Sequence, residues 1–468
     1  MKFGGSSLAG AERIRRVAEL VRDTAPLTDV GDAPPPMVVV SAMGGVTDRL
    51  FALARTALTG RAGQQAALDQ VEELHRRHAD ALGAFAGATG GLDDIMAGYF
   101  AELRDIVIGV SLLGELSPRS LDAVVSYGEK LSTLLVAAAL RALGVDAEPI
   151  SAEEIIVTDA TFGSAAPDLA ATTARALERV VPLIDRGVVP VITGYIGATP
   201  DGVTTTLGRN GSDYSGAIMG AAVGAAEVWI WTDVDGVMSA DPRLVPTARS
   251  LPALSYAEAA ELAYFGSKVI HPRTIVPAVA TGVPIRIKNT FNPAHPGTLI
   301  AATSEAGEGA VKAVTVIREL ALITVEGLGM LGVPGIAART FGAMATAGIN
   351  VLMFSQASSE SNIALVIARR EVQAAVDALD AAFAVELRRH EVDAVRARPG
   401  VAIVTVVGAG MRGTPGVSGR LFGALGDAGV NVIAIAQGSS EIGISCVVRE
   451  DTVEQALRIV HGEFVEVS

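Results

Sequence analysis

Cysteine is almost missing from this chain. Its 468 residues include one, Cys446, so no disulfide can form within a single chain, and this usage fits a reducing cytoplasm. Cys446 stands in an apolar, strand-like run, where a lone cysteine usually serves as a small core residue. Charge is sparse: 19% of residues are charged and 50% are hydrophobic, a balance that excludes an extended disordered chain. Positive charge is the scarcer sign, with 37 Lys and Arg against 51 Asp and Glu. The resulting net charge of −14 argues against a nucleic-acid groove and leaves room only for a local basic pocket. Of six histidines, His271 and His295 each precede a proline, and none stands in a metal-ligand cluster, so no protein metal site is expected. No uninterrupted apolar stretch is long enough to span a bilayer, and no signal-peptide pattern precedes the first motif. A cytoplasmic location with no membrane partner is the expectation. The Walker A pattern GxxxxGK[ST] is also absent.

Glycine is plentiful, at 51 residues, while aromatics make up 4%. This suits an α/β protein with many tight strand–helix turns, and the length suits two to four domains. Short apolar runs bounded by Gly, Pro or Ser read as buried strands at 37–40, 188–193, 227–232 and 283–288. Helix-length amphipathic segments lie between them, such as 131–143 closed by Gly144. The alternation predicts a mostly parallel sheet covered by helices. Residues 49–110, rich in Ala, Leu, Glu and Arg, read as a helical insertion. The run APPP at 33–36 is a stiff loop before a strand. AATSEAGEG at 301–309 is the best linker.

Beyond that linker the chain repeats itself. Residues 329–363 read GMLGVPGIAARTFGAMATAGINVLMFSQASSESNI, and residues 410–444 read GMRGTPGVSGRLFGALGDAGVNVIAIAQGSSEIGI. Gly329/Gly410, Pro334/Pro415, Phe341/Phe422, Asn350/Asn431, Gln356/Gln437 and Glu360/Glu441 share one offset. Each copy predicts βαββα: strand 321–325, a helix between Pro334 and Gly348, a hairpin of 350–355 and 362–368, and a helix over 371–382. A closing strand is expected at 464–467. Two copies fall short of a solenoid and fit a pair of small domains.

Several segments ahead of the repeats suit phosphate chemistry. Lys2-Phe3-Gly4-Gly5-Ser6-Ser7 places a Gly-Gly turn after a strand, where backbone N–H groups approach a phosphate without a Cβ in the way. A neighbouring lysine suits charge on a transferring phosphoryl group. Taken alone, such a lysine is more often solvated and such a turn only a turn. Ser41-Ala42-Met43-Gly44-Gly45-Val46-Thr47-Asp48 is a second strand–glycine–helix junction, ending in residues suited to an N-cap. Two such loops in one α/β sheet favour a phosphate site at the carboxyl ends of strands. Thr204–Ser215 (TTTLGRNGSDYS) is the most specific segment. Arg209 suits a carboxylate, and Ser212 and Asp213 suit either a site or a helix cap. Trp231–Gly236 (WTDVDG) resembles part of a calcium loop but lacks the closing glutamate. Asp241-Pro242-Arg243 offers an arginine, and Tyr264–Lys268 (YFGSK) a second lysine.

Together, KFGGSS, SAMGGVTD, SYGEKLS (126–132), TLGRNGSDYS, WTDVDGVMSADPR and YFGSKVIHPRT resemble the aspartokinase branch of the amino-acid kinase superfamily, in its order. The twin repeats look like its paired ACT regulatory domains. NGSDYS, WTDVDGV and IAQGSSE are most similar to the kinase half of bifunctional aspartokinase–homoserine dehydrogenases; a stand-alone kinase, a trimmed bifunctional enzyme and a pathway-dedicated duplicate are all expectations open to it. The resemblance implies an α/β three-layer sandwich with a mainly parallel sheet, plus two C-terminal βαββαβ domains. Their extents would be a catalytic domain over 1–300, an ACT-like domain over 315–385 and a second over 386–468, with strands exchanged or not. It implies transfer of phosphate from ATP, with Mg2+, to the side-chain carboxylate of aspartate. Another amino-acid kinase, or a weakly catalytic regulatory subunit, are the competing expectations.

By the same resemblance, Lys2, Gly4, Gly5 and Ser6 would hold the ATP phosphates, with Lys2 stabilising the transition state. Ser41, Gly44 and Gly45 would flank the phosphoryl path. Thr47, Glu129, Arg209 and Ser212 would hold aspartate, Arg209 on its α-carboxylate and Glu129 on its ammonium. Asp213 would orient catalytic groups including Lys2. Thr232, Asp233, Met238, Arg243 and Lys268 would contact the nucleotide, Met238 standing where many relatives carry tyrosine. Gly329, Met330, Gly332, Asn350, Gln356, Asn431 and Gln437 would hold an amino-acid effector, threonine favoured and lysine second. A homodimer or larger assembly is implied.

Overall fold

The structure, a computed structural model, describes residues 1–24, 34–86, 91–265, 270–303, 309–356, 358–359 and 361–466. They form two compact units. One comprises Met1–Val237, Pro252–Tyr256 and Val269–Thr303; the other comprises Met238–Leu251, Ala257–Lys268 and Ser304–Ser468.

The first unit holds β1 (Lys2–Phe3), β2 (Val38–Val40), β3 (Ala147–Ile150), β4 (Val189–Thr193), β5 (Ile196–Ala198), β6 (Thr204–Thr206), β7 (Val228–Thr232), β8 (Ala253–Ser255), β9 (Ile285–Asn289) and β10 (Thr298–Ala301). Eight of these make one sheet in the order β3-β4-β2-β1-β7-β9-β10-β8, while β5 and β6 form a separate hairpin. Pairing is parallel from β3 through β9; β10 is antiparallel to β9 and β8 is parallel to β10, so these last two strands run against the other six.

The apolar runs form strands because both sheet faces are covered. Val38 and Val40 enter one apolar cluster with the helices Ala11–Thr24, Val46–Thr56 and Pro118–Ala142, while Val39 enters another with Ile218 and Met219 of the helix Gly211–Ala222. Successive side chains point to opposite faces, and each fully buried aliphatic side chain contributes about 1.5–3 kcal/mol. The result is three layers. Residues 46–113 supply three helices, Val46–Thr56, Arg61–Ala86 and Leu92–Leu113.

The helix read at 131–143 is in fact Pro118–Ala142. Ser117 caps it by accepting from Ser120 N, and Pro118 takes the first turn, where its missing N–H costs nothing. Length and composition would let this helix cross a membrane, but 83% of its most apolar window is buried inside the structure. Its burial brings the polar run SYGEKLS into the protein interior.

The second unit holds β11 (Ala313–Glu326), β12 (Met353–Gln356), β13 (Asn362–Ala368), β14 (Ala394–Val407), β15 (Ala434–Gln437) and β16 (Gly443–Arg449), in one antiparallel sheet of order β12-β13-β11-β14-β16-β15. β11 and β14 pair from Ala313↔Val407 to Glu326↔Ala394, with the register shifting between Ile317 and Ala321. Each long strand therefore serves both repeats. Residues 320–326 pair with β13 and residues 401–407 with β16.

This overturns the closing strand expected at 464–467. Residues Gly462–Glu466 form a π-helical turn, and Val467 lies outside the described residues. The place beside 401–407 is taken by 313–317, which precede the first repeat. Phe464 and Val465 instead pack with Leu457 and Val460 in the core of the second repeat.

Candidate active site

The order of the main sheet puts β1 between β2 and β7. Phe3 is level with Val40 and Trp231, and Val40 with Thr193. Four loops thus leave the sheet side by side at its carboxyl edge, where open α/β sheets bind ligands.

The two glycine loops touch. A Cβ on Gly5 would lie 3.0 Å from Ala42 O, and one on Gly44 would lie 3.2 Å from Gly5 O. Gly45 (φ 79°) is left-handed and caps the helix Val46–Thr56 without a side chain. Thr47 and Asp48 therefore stand inside the first turn rather than at the cap, and both line a cleft of about 360 Å³ together with Gly5, Ser6, Ser41, Gly44 and Gly45.

Lys2 comes from β1 and is 5% exposed; Asp213, from the first turn of the helix Gly211–Ala222, is 9% exposed. Their side chains form a buried ion pair. Gly216, one turn further on, lets the lysine stem pass: a Cβ there would sit 3.0 Å from Lys2 Cβ. The helix is capped by Asn210 in the left-handed region, with no side-chain bond. So neither Ser212 nor Asp213 caps it. Ser212 Oγ instead accepts from Ser41 Oγ at 2.7 Å, joining the second glycine loop to the TLGRNGSDYS loop.

Glu129 lies in the middle of Pro118–Ala142, 3% exposed, and lines the cleft. Its Oε1 accepts from Ala42 N at 3.0 Å, while Oε2 is buried without a hydrogen-bond partner. Burial pushes its carboxyl up to about 8, against smaller lowering effects from the Ala42 amide and Lys2. An unpartnered buried carboxylate oxygen is costly unless a cation reaches it.

Other expected residues sit apart. Arg209 is exposed on the loop before Asn210 and does not line the cleft. Gly4 N donates to Trp231 O at 3.3 Å. Thr232 ends β7 and its hydroxyl donates to Asp233, which is exposed. Met238 and Arg243 belong to the second unit. Met238 bridges Ser250, and the Arg243 guanidinium is forked onto Asp241 at 2.6 and 3.0 Å. Lys268 lies outside the described residues.

Two residues went unforeseen. Tyr195, with φ 68°, lines the cleft, and a Cβ on Gly211 would lie 2.7 Å from its ring. Asp122 accepts from Gly163 N, Thr206 N and Thr206 Oγ1 at 2.8–2.9 Å, fixing β6 ahead of the Arg209 loop. A lone aspartate on an otherwise apolar helix face was the available signal.

In the second unit the loops preceding the paired helices differ. Gly329 packs against Glu391, where a Cβ would meet Glu391 Cα at 2.5 Å. Met330 is buried, Gly332 is left-handed (φ 67°), and Leu328, Leu331 and Val333 are exposed. In the second repeat, Ala409 N donates to Glu258 Oε1 at 2.7 Å. Asn350, Gln356, Asn431 and Gln437 are all exposed, at or near the ends of the edge strands β12 and β15.

Residues 1–289 match the Amino acid kinase family, and residues 323–383 and 404–464 each match the ACT domain. The chain is 39% identical over 475 residues to bifunctional aspartokinase/homoserine dehydrogenase 2 of Arabidopsis thaliana, covering 99% of this chain and 50% of that protein. It thus spans about half the length of the bifunctional relatives it matches. Aspartokinase 1 of the same plant is 33% identical, covering all of this chain and 80% of its own length. Escherichia coli aspartokinase III, solved with aspartate and ADP, superposes with a TM-score of 0.80 at 29% identity, covering 99% and 98% of the two chains. Solved with lysine and aspartate, the same protein gives 0.78 at 30% identity, with the same coverage. On these matches the chain belongs to the amino acid kinase family, in its aspartokinase branch, and carries a pair of ACT domains.

Proposed function

We propose that the protein phosphorylates the side-chain carboxylate of L-aspartate with ATP, giving 4-phospho-L-aspartate, the entry reaction to lysine, threonine and methionine. We propose 1–300 as the catalytic domain, and 315–385 and 386–468 as regulatory domains. The observation that carries the reading is the carboxyl edge of the sheet: two touching glycine loops, a buried Lys2–Asp213 pair behind them, and Glu129 lining the same cleft with one oxygen unpartnered.

The chemistry needs this kit. An aspartate side chain, with a pKa of about 3.9, is already ionised at neutral pH and requires no general base. The obstacle is repulsion between a carboxylate and a polyphosphate. Positive charge and fixed amide dipoles aimed at the transferring group offset it. Lys2 supplies the charge, and Asp213 holds its ammonium in place from below. The turns at Gly5 and Gly44–Gly45 would present backbone amides to the phosphates with no Cβ on the glycines in the way. Among the described residues no group of three or more His, Cys, Asp or Glu side chains is placed to hold a metal. Mg2+ would enter on the nucleotide's own phosphates and neutralise their charge there.

Glu129 Oε2 would take the substrate ammonium, Ser41, Thr47 and Ser212 would line its path, and Arg209 would clamp the α-carboxylate in a bidentate pair. Thr232, Asp233, Met238, Arg243 and Lys268 are assigned to the nucleotide by family resemblance. Gly329, Met330 and Gly332, with Asn350, Gln356, Asn431 and Gln437, would receive the effector, threonine before lysine. A cytoplasmic homodimer or larger assembly completes the reading. ADP release measured against a panel of acidic amino acids tests it. Release with L-aspartate and none with L-glutamate is expected; equal rates, or release with neither, would overturn it.

A further inference from the structure

The chain's lysines are Lys2, Lys130, Lys268, Lys288 and Lys312. Three of them are tied to carboxylates. Lys2 pairs with Asp213, Lys130 with Glu153 at 2.9 Å and Lys312 with Glu258 at 3.2 Å. Among the described residues no carboxylate pairs with Lys288, whose Nζ makes one hydrogen bond, to His295 O at 3.3 Å.

The sheet explains this difference. Side chains alternate faces along a strand. Trp229 and Trp231 of β7 therefore share one face with their β9 partners Arg286 and Lys288. Glu227, one step before β7, reaches the same group, but its charge is already used. Arg286 Nη2 pairs with it at 2.7 Å, and Trp229 Nε1 donates to it at 2.5 Å. The Lys288 ammonium is left over the two indoles, 5.3 and 5.4 Å from the ring centroids. The turn at 295–297 closes over its stem: a Cβ on Gly297 would lie 3.4 Å from Lys288 Cγ. The side chain is half-buried and still open to solvent.

Aromatic faces attract an ammonium, yet they hold it less firmly than the charge-assisted hydrogen bonds that fix the other three lysines. Burial lowers the Lys288 pKa from the ordinary lysine range, and the like charge of Arg286 lowers it further, against a raising effect of Glu227. A desolvated amine of this kind gives up its proton more readily and becomes a nucleophile.

We propose that Lys288 is a modification site for acyl phosphates, the mixed anhydrides of a carboxylic and a phosphoric acid. The neutral Nζ attacks the carbonyl carbon. An N–C bond forms, the acyl C–O bond breaks, orthophosphate leaves with the electron pair, and the amine's proton passes to solvent. The amide that results is uncharged, so both indoles lose their cation. Two sources share this chemistry: a free acyl phosphate, and the 4-phospho-L-aspartate that the protein itself would make. The site stands without the kinase reading; only the second source rests on it.

The test incubates the full chain with acetyl phosphate and follows each lysine by peptide mass spectrometry. Lys288 is expected to react about tenfold or more faster than Lys2, Lys130 and Lys312, the factor for taking an amine out of a charge-assisted hydrogen bond. Trp229 and Trp231 are the chain's two tryptophans. Intrinsic fluorescence should therefore change in step with acetylation of Lys288, and should hold steady in Lys288→Arg under the same treatment. Arg286→Gln releases Glu227 to pair with Lys288 and should slow its acetylation toward the rate of the other three, a response that exposure alone would not give. Lys288 reacting no faster than the ion-paired lysines, or equally fast in Arg286→Gln, would overturn the inference. A second arm replaces acetyl phosphate with Mg-ATP and L-aspartate and measures ADP in the same tube. An aspartyl group on Lys288 is expected to accumulate with ADP. ADP without that adduct would remove the protein's own product as a source. No ADP would count against the kinase reading, while the acetyl phosphate arm still decides the site.

Discussion

If the chain uses aspartate as proposed, Glu129→Gln should change how that use depends on pH. Burial holds the Glu129 carboxyl near 8, so in the free enzyme only about one molecule in ten is ionised at pH 7. If the ionised form receives the substrate ammonium, kcat/KM for aspartate at saturating Mg-ATP should rise about tenfold per pH unit up to 8 and then level off. Bound ammonium holds the carboxylate ionised, so kcat should stay nearly flat. Glutamine preserves the acceptor for Ala42 N but not the charge. Losing one charge-assisted hydrogen bond costs about 1.5–3 kcal/mol, so at pH 8 kcat/KM for aspartate should fall about ten- to 150-fold. The variant should show no pH slope, so the two curves converge toward pH 6.

Stability gives a second readout. The folded value lies above the ordinary 4.5, so the native state holds a proton that the unfolded chain has lost. Glu129 therefore favours folding below about 4.5. That contribution fades, by about 1.4 kcal/mol per unit, as pH rises from there to about 8. Without aspartate, Glu129→Gln should lack this loss and gain in relative Tm toward pH 8. A flat parent profile between pH 6 and 8, or the same rise in the variant, would refute the reasoning.

Lys2→Ala should lower kcat by about a hundredfold or more while changing KM for ATP little, as expected for a group that acts on the transition state; steady-state kinetics at saturating aspartate check it. Gly216→Ala places a Cβ 3.0 Å from Lys2 Cβ and should lower kcat about tenfold or more with the far-UV circular dichroism retained, since a lysine displaced by an ångström is poorly aimed. Arg209→Ala should raise KM for aspartate about tenfold or more, the loss of a bidentate pair, and spare KM for ATP. Threonine should inhibit and raise Tm; a titration that moves neither would remove it as effector.

Strands buried on both faces were legible because nothing but an apolar run survives there. The runs at 37–40 and 188–193 became β2 and β4 within one residue at their starts. The helix Pro118–Ala142 was read only over its second half, because Ser126, Glu129 and Lys130 break the apolar pattern in its middle. Ser126 and Glu129 are buried, Glu129 against the Ala42 amide of the site, while Lys130 pairs with Glu153, and local periodicity cannot show this. The closing strand failed for another reason. Phe464 and Val465 look like strand residues, but their apolar surface is used against a helix end, and the strand they would have made comes from 313–317. The attachment of 238–251 to the second repeat was equally hidden: Ser239 and His461 meet across 222 residues, and neither carries a local pattern. At the candidate site the glycine loops and Asp213 stood out as motifs. Tyr195 and Asp122 did not, being single polar residues in apolar surroundings.

The central claim is that the aspartate carboxylate itself attacks ATP. The direct measurement is to incubate the protein with Mg-ATP, L-aspartate and hydroxylamine and to identify the trapped product by mass spectrometry. The expected product is the aspartyl β-hydroxamate, formed in step with ADP, absent with L-glutamate and lost in Lys2→Ala. ADP formed without hydroxamate, or hydroxamate formed equally well by Lys2→Ala, would contradict it.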